Sequence, residues 1–553
     1  MDKKWRWGLL GLVVVAVLLT IFLVIFLTSS TSPEAILIVD APVGSISGIR
    51  AMDGDYNMFL GIPYAQVNLS NPFGASTPYP KFDTVFVADD NSKICAQRNY
   101  DYGVLDCLHL SISVPDATRN SLLPVMVWIH GGAFVSGTSN TFGAKFLVKQ
   151  DVIVVTINYR LGPYGFMCLD IPEVPGNQGL KDQVLALRWI KDNIEAFGGD
   201  VNKVTLFGLS AGAHSIDFHI LSDTEILYNN AILQSGSSLA STVFTNHPKR
   251  APIDIAAQLG FVTDSMLEAI SYLSTVDPNQ VIYISNALNF HYKPCTEMYF
   301  KNVEPFLTRP WVTADTPKVE GIPILIGFSD QEMLLRYANN FNFDNYNAIN
   351  DRLSETFNFD DVKMAEMEAN IRNFYFGDKD ITVDLLWEAI EFDSDYTYVY
   401  PIHRTINKYL ASESQSIFLY VFAYYGERNL QKKKSNVTIG TAAHGDEWPY
   451  LFDSKDLNEE PTVEDQLIID RMTTMWTNFA KYSDPTPETS SLLPIRWPSI
   501  TADSYNYMTI DSEMTVGRRP NHGRITFWDL FYKFNAEYEK GYYENSSSSS
   551  SQP

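Results

Sequence analysis

The chain reads as a large α/β protein, with a mostly parallel central sheet covered by helices on both faces. Three observations predict this. Short runs rich in β-branched residues recur along the chain, they alternate with amphipathic stretches, and no linker or internal repeat divides them. The strand candidates are 125–129, 152–157 (VIVVTI), 203–207, 231–234, 322–326 and 417–422, mostly apolar at successive rather than alternate positions. A strand that is apolar at successive positions buries both faces, as parallel sheets between helix layers do. The clearest helix follows Asp182. Val184, Leu187, Ile190, Ile194 and Phe197 recur at steps of three and four, and Gly198 with Gly199 supplies the stop. In such sheets ligands bind beyond the carboxyl ends of the strands.

The length, 553 residues, suggests several domains by size alone, but large α/β enzymes grow one sheet by insertion. Hydrophobic residues make up 45% of the chain, enough for a sizeable core and too many for a disordered protein. Asp plus Glu number 65 against 41 Lys plus Arg, a formal charge of −24. A surface that acidic repels phosphate backbones, which excludes nucleic acid as a partner class. Four cysteines are too few for a disulfide-built scaffold, and no CxxC pair points to a metal; the reading needs no cofactor.

The N-terminus sets the compartment. Residues 8–27 (GLLGLVVVAVLLTIFLVIFL) are an apolar run relieved only by Thr20. Twenty residues of helix span about 30 Å, the thickness of a bilayer's hydrocarbon core. Lys3, Lys4 and Arg6 precede the run, so residues 1–7 read as a cytoplasmic stub and the rest as extracytoplasmic. An uncleaved transmembrane signal anchor is the favoured reading; a cleaved signal peptide, giving a secreted protein, is the alternative. Residues 28–540 then form one catalytic domain, and the Ser-rich 541–553 a disordered tail. Asn68, Asn436 and Asn545 head glycosylation sequons, which suit a secretory route. Cys95 and Cys107, twelve positions apart, are able to close a small loop in an oxidising lumen. Cys168 and Cys295 are distant in sequence, and their pairing stays open, with free buried thiols as one reading.

The chemistry follows the strands. After Phe207 comes GLSAG, with Ser210 at its centre and a helical stretch behind it. A strand-to-helix turn of this pattern projects the hydroxyl above the sheet, beside helix N–H groups that meet an anion. After Ile129 comes His130-Gly131-Gly132-Ala133-Phe134. Attack on an ester carbonyl places negative charge on oxygen, and a small-residue loop brings backbone N–H donors close to it. Ser210 needs a base and an orienting acid. Of nine histidines, His214 and His219 sit on the helix behind the nucleophile, while His444 lies in the small-residue loop GTAAHGDE downstream of 417–422. The acid is expected after a strand between the two. Asp330 and Glu332, in GFSDQE after 322–326, are both candidates, and spacing does not choose between them.

These motifs resemble the type-B carboxylesterase and cholinesterase family of the α/β-hydrolases. The likeness runs in ordered blocks: FLGIPYA at 59–65, DCLHLSI at 106–112 (the family has "EDCLYLNI"), NYRLG at 158–162 and GNQGLKDQ at 176–183. AFGGD at 196–200, VTLFGLSAG at 204–212 and LQSG at 233–236 follow. The resemblance implies Ser210 as nucleophile, His444 as general base and Glu332 as the acid. It implies Gly132, Ala133 and Ala211 as oxyanion donors with Gly131 as flexible neighbour, and a Cys95–Cys107 disulfide. Three positions depart from the family pattern. Leu209 replaces Glu before the serine, Met333 replaces Gly after the acid, and Trp448 replaces a frequent Leu.

The implied activity is hydrolysis of apolar carboxylic esters through an acyl-enzyme. The loop 95–107 holds Tyr100 and Tyr102 but no Trp, which argues against a choline ester, and Leu209 stands where juvenile-hormone-type esterases typically carry Gln. The rival class is a catalytically idle adhesion ectodomain like neuroligin or neurotactin. Retention of Ser210, Glu332, His444 and the 131–133 loop favours the enzyme.

One prediction follows for topology. Alkaline carbonate is expected to leave the protein in the membrane pellet. A soluble product whose N-terminus lies within residues 28–34 would show instead that 8–27 is removed.

Overall fold

The computed structural model describes residues 37–540, apart from 117–120, 244–246, 339–340, 415, 458 and 502. Residues 1–7, 8–27 and 541–553, read from the sequence as stub, anchor and tail, lie outside the described residues, as does Asn545. Among the described residues no helix is long and apolar enough to cross a membrane.

One 13-stranded sheet carries the fold. In chain order its main strands are β1 (Leu37–Ala41), β2 (Gly44–Arg50), β3 (Tyr56–Pro63), β4 (His109–Pro115), β5 (Leu123–Ile129) and β6 (Ile153–Ile157). They continue with β7 (Gly199–Leu209), β8 (Asn230–Gln234), β9 (Ile324–Ser329), β10 (Ile417–Phe422), β11 (Asn506–Ile510) and β12 (Thr515–Arg518). In space they run β1-β2-β3-β4-β6-β5-β7-β8-β9-β10-β11-β12, and the short strand Phe86–Val87 pairs beside β2. From β6 to β11 every pairing is parallel. Antiparallel strands form the two edges. All six strand candidates from the sequence form, within two or three residues at each end except for the longer start of β7.

The continuous apolar strands are explained by two buried layers. On β5, Val125, Val127 and Ile129 join one core, and Met126 and Trp128 the other. On β10, Ile417, Leu419 and Val421 face the first core; Phe418, Tyr420 and Phe422 face the second. Successive side chains point to opposite faces, so a strand buried on both needs an apolar residue at each step. Helices α1 (Gln178–Asn193) and α2 (Ala211–Leu221) cover the first face. Helix α5 (Val463–Tyr482) covers the second through Ile468, Met472, Met475, Trp476 and Phe479. Two further helices, α3 (Leu386–Ser394) and α4 (Tyr400–Ala411), join through a π-helical turn, Asp395–Val399, and pack on the first face.

Two sequence blocks meet in a buried ion pair. The Arg160 guanidinium meets the Asp182 carboxylate through Nε and Nη2, each at 2.7 Å, and its Nη1 donates to the Pro72 and Gly74 carbonyls. Arg160 and Asp182 are 1% and 0% exposed as side chains, so neither charge has water to fall back on. Both cysteine pairs are disulfides. Cys95–Cys107 bridges Cα atoms 4.9 Å apart, as expected. Cys168 and Cys295 are also bonded, so the reading of free thiols is corrected. Separation along the chain is no guide here, because Asn177, nine residues after Cys168, clasps the Cys295 backbone. Its Oδ1 accepts from the Cys295 N–H and its Nδ2 donates to the Cys295 carbonyl.

Breaking the ion pair from one side strands the other charge in the core. Asp182→Ala is therefore expected to destabilise the fold by about 3–5 kcal/mol in urea unfolding. A loss under about 1 kcal/mol would mean that the Pro72 and Gly74 carbonyls already satisfy the guanidinium.

Candidate active site

Sheet register brings the motifs together. Gly208 pairs with Ile129, Leu209 with Gln234, and Gln234 with Gly327, so the segments after β5, β7 and β9 leave the sheet side by side. Ser210 falls between β7 and α2 at φ 56° and ψ −120°, a conformation unfavourable for any residue with a Cβ. Its backbone is pinned on both sides: its N–H donates to the Gln234 carbonyl at 2.9 Å and its carbonyl accepts from His214 N–H at 2.8 Å. The turn requires glycine two residues on. A Cβ on Gly212 would lie 1.9 Å from the Ile129 carbonyl oxygen, where backbone has no room to move.

Gly132 and Ala133 both have positive φ, 115° and 55°, so the loop after β5 turns sharply across the strand ends. A Cβ on Gly132 would strike the Ser136 carbonyl at 1.9 Å. The loop is braced from outside: the Lys293 ammonium donates to the Ala133 carbonyl at 3.0 Å and burial lowers its pKa to about 8. Among the described residues, none of the Gly132, Ala133 and Ala211 N–H groups donates to another group of the chain. Ala211 is the first residue of α2, where an N–H is left without a helical partner. Among the described residues, these three small-residue amides are thus without a partner in the chain.

Glu332 and His444 are joined directly. His444 Nδ1 bonds Glu332 Oε2 at 2.6 Å. The other carboxylate oxygen of Glu332 accepts the Ser329 N–H at 2.7 Å, and the His444 N–H donates to the Glu332 carbonyl at 3.2 Å. Asp330, open as an alternative from spacing, points elsewhere: its carboxylate accepts from the Thr441 hydroxyl at 2.7 Å and is exposed. Burial pushes the His444 pKa down, but the charge and hydrogen bond of Glu332 outweigh it, and the net shift is upward from 6.5. Four other buried histidines go the opposite way. Burial lowers His130 to about 4 and His214, His219 and His403 to about 3, so these rings stay neutral parts of the core.

The departures from the family pattern take defined places. Leu209 packs its methyl within 3.2 Å of the position a Cβ on Gly445 would take, filling the space beneath the base loop. Met333 donates its N–H to Ser394 Oγ at 3.0 Å, tying the acid loop to the end of α3. Trp448 packs on Phe142, ring centres 5.2 Å apart. Tyr100 and Tyr102 are exposed and pack edge to face on each other at 5.5 Å.

Two residues near the centre carried no recognised role in the sequence. Glu447 is fully buried, and burial together with the Glu332 charge raises its pKa to about 7. Tyr398 stacks on the His444 ring, centroids 4.5 Å apart and planes at 28°. Nothing in the string DYTYVY distinguishes Tyr398 from its neighbours. Only the π turn aims it.

Fold, strand order and site geometry define an α/β-hydrolase with an esterase-type centre. Comparison with known proteins agrees. The sequence model of the carboxylesterase family matches residues 35–528. Among curated proteins, a juvenile hormone esterase of Tribolium castaneum is 30% identical over 85% of this chain and 87% of its own length. Esterase FE4 of Myzus persicae is 29% identical over 91% and 94%, and a cholinesterase of Mus musculus 29% over 93% and 90%. The crystal structure of juvenile hormone esterase from Manduca sexta, with OTFP covalently attached, superposes with a TM-score of 0.77 at 27% identity. It spans 90% of this chain and 100% of that one. The chain belongs to the carboxylesterase family and is a carboxylic ester hydrolase.

The geometry at the acid separates two similar substitutions. Glu332→Gln is expected to lower turnover on the order of 10³–10⁴, since the amide lacks the charge and misorients the ring. Asp330→Asn is expected to cost less than about tenfold, as loss of one exposed contact to Thr441. Steady-state kinetics of both variants on one p-nitrophenyl ester makes the comparison; reversed losses would make Asp330 the acid.

Proposed function

We propose that the protein hydrolyses apolar carboxylic esters through a Ser210–His444–Glu332 triad, an acyl-enzyme and a backbone oxyanion hole. The observation that carries this reading is the 2.6 Å bond from His444 to the Glu332 carboxylate, at the mouth of a strand-to-helix turn bearing a strained serine. His444 takes the Ser210 proton as Oγ attacks the carbonyl carbon. Glu332 holds the imidazole by Nδ1–H and stabilises the imidazolium that forms. The tetrahedral oxygen accepts hydrogen bonds from the Gly132, Ala133 and Ala211 amides, with Gly131 giving the loop freedom. The imidazolium then protonates the leaving alcohol, and water repeats the sequence to release the acid.

The site's chemistry favours an uncharged substrate. Leu209 packs a hydrocarbon against the His444 loop, and the buried Glu447 is raised towards neutrality at working pH. A quaternary ammonium finds no tryptophan in the 95–107 loop. The catalytic domain is residues 28–540, carried on the extracytoplasmic side by 8–27. Asn68 and Asn436 are exposed, as glycan attachment there requires.

Ser210→Ala is expected to abolish ester hydrolysis with the fold intact, and a fluorophosphonate to label Ser210 alone. Label on another serine would remove Ser210 from the mechanism. The base must be neutral to act, so kcat/KM falls as pH drops through a midpoint above about 6.5, in keeping with the upward shift of His444. In Glu332→Gln the upward pull is gone and the midpoint moves to lower pH. A midpoint that stays in place would mean that another group controls the acid limb.

A further inference from the structure

The triad accounts for the base, the acid and the nucleophile, but not for the aromatic residue that covers the base. Tyr398 stacks face-on against the His444 imidazole. It lies on Asp395–Val399, a π-helical turn inside an otherwise continuous helix, where the Tyr400 N–H donates to the Asp395 carbonyl five residues back. Such turns cost regular hydrogen bonding and occur mostly at functional sites, where the extra residue re-aims a side chain. Its aromatic neighbours Tyr396 and Tyr400 are 1% and 2% exposed and belong to the core. Tyr398 is only partly buried, because it faces the catalytic centre.

The segment before Tyr398 is anchored at three successive residues. Asp393 receives Arg352 Nε at 2.6 Å, Arg336 Nη1 at 3.2 Å and the Tyr337 hydroxyl at 3.0 Å. Ser394 Oγ receives the Met333 N–H, next to the acid. Asp395 receives Arg524 Nε at 2.5 Å and the Tyr375 hydroxyl at 2.8 Å. Both carboxylates are fully buried, so these contacts are shielded from solvent. The π turn is therefore held to the Glu332 loop from one side and to the helical layer from the other. A side chain mounted on it has little freedom to drift.

We propose that Tyr398 is a positioning residue for the catalytic centre: its ring fixes the plane of the His444 imidazole. This rests on the triad reading above. The stacked ring covers one face of the imidazole and keeps it aligned with Glu332. Held geometry of this kind lowers the barrier by removing rotamers that cannot react.

The test separates hydroxyl from ring in the full-length protein. Tyr398→Phe keeps the stack and loses the hydroxyl; Tyr398→Leu loses both. Each is assayed for kcat, KM, and the rate at which a fluorophosphonate labels Ser210, per titrated active site. Tyr398→Phe, which keeps the stack, is expected to stay within about twofold of wild type in kcat, KM and labelling rate. Tyr398→Leu is expected to lower kcat and labelling rate by about fivefold with KM within about twofold. A merely structural role would reduce the number of titratable sites and leave the rate per site unchanged. Rates per site within about twofold of wild type in Tyr398→Leu overturn the proposal, as does a change confined to KM or a loss in Tyr398→Phe as large as that in Tyr398→Leu. Failure of the wild-type protein to label at Ser210 would instead sink the triad reading, independently of either variant.

Discussion

Everything at the catalytic centre depends on a serine held in backbone geometry that it would not choose. At φ 56° and ψ −120°, Ser210 stores on the order of 1–3 kcal/mol of strain. The sheet supplies what holds it there. β7 enters the turn paired on both sides, with β5 and with β8, and α2 leaves it buried along its whole length. The approach of Gly212 to the Ile129 carbonyl leaves no alternative path for the chain. Relaxing the turn would mean unpairing the two central strands, which is far costlier than the strain.

The groups of the proposed triad gather because parallel strands end on one side. The Gly131–Ala133 loop follows β5, Glu332 follows β9, and the loop carrying His444 comes after β10. Glu332 then does two jobs with one carboxylate. One oxygen closes its own loop on the Ser329 N–H, and the other holds His444. The position of the Glu332 carboxylate is fixed by backbone, and that of the His444 ring by Glu332. Next to His444, burial pushes the Asp446 and Glu447 carboxylates towards their neutral forms.

Much of the sheet was legible in the sequence because its strands are buried on both faces and carry unbroken apolar runs. The antiparallel edge was not recognised, since β1 and β2 read LIVDA and GSISGIR, mixed strings with no clear period. The GLSAG turn, the 131–133 loop and His444 were recognisable because glycine and small residues mark close backbone approach. The choice between Asp330 and Glu332 was beyond spacing alone. It turns on which side chain faces His444, and the resemblance selected the one that does. The Cys168–Cys295 bond was hidden because Asn177 and tertiary packing bring the two together. Tyr398 was hidden for the deepest reason: a π turn is a tertiary compromise, held by Arg352, Arg336 and Arg524 from elsewhere in the chain.

The central claim is that the Glu332–His444 bond makes His444 the working base. Proton NMR of the imidazole Nδ1–H tests it most directly, followed across pH beside the pH dependence of kcat/KM. The account predicts a downfield resonance that persists in Ser210→Ala and disappears in His444→Gln. It also predicts a titration midpoint above about 6.5 that coincides with the acid limb of activity. A resonance that titrates well away from that limb, or that survives replacement of His444, would contradict it.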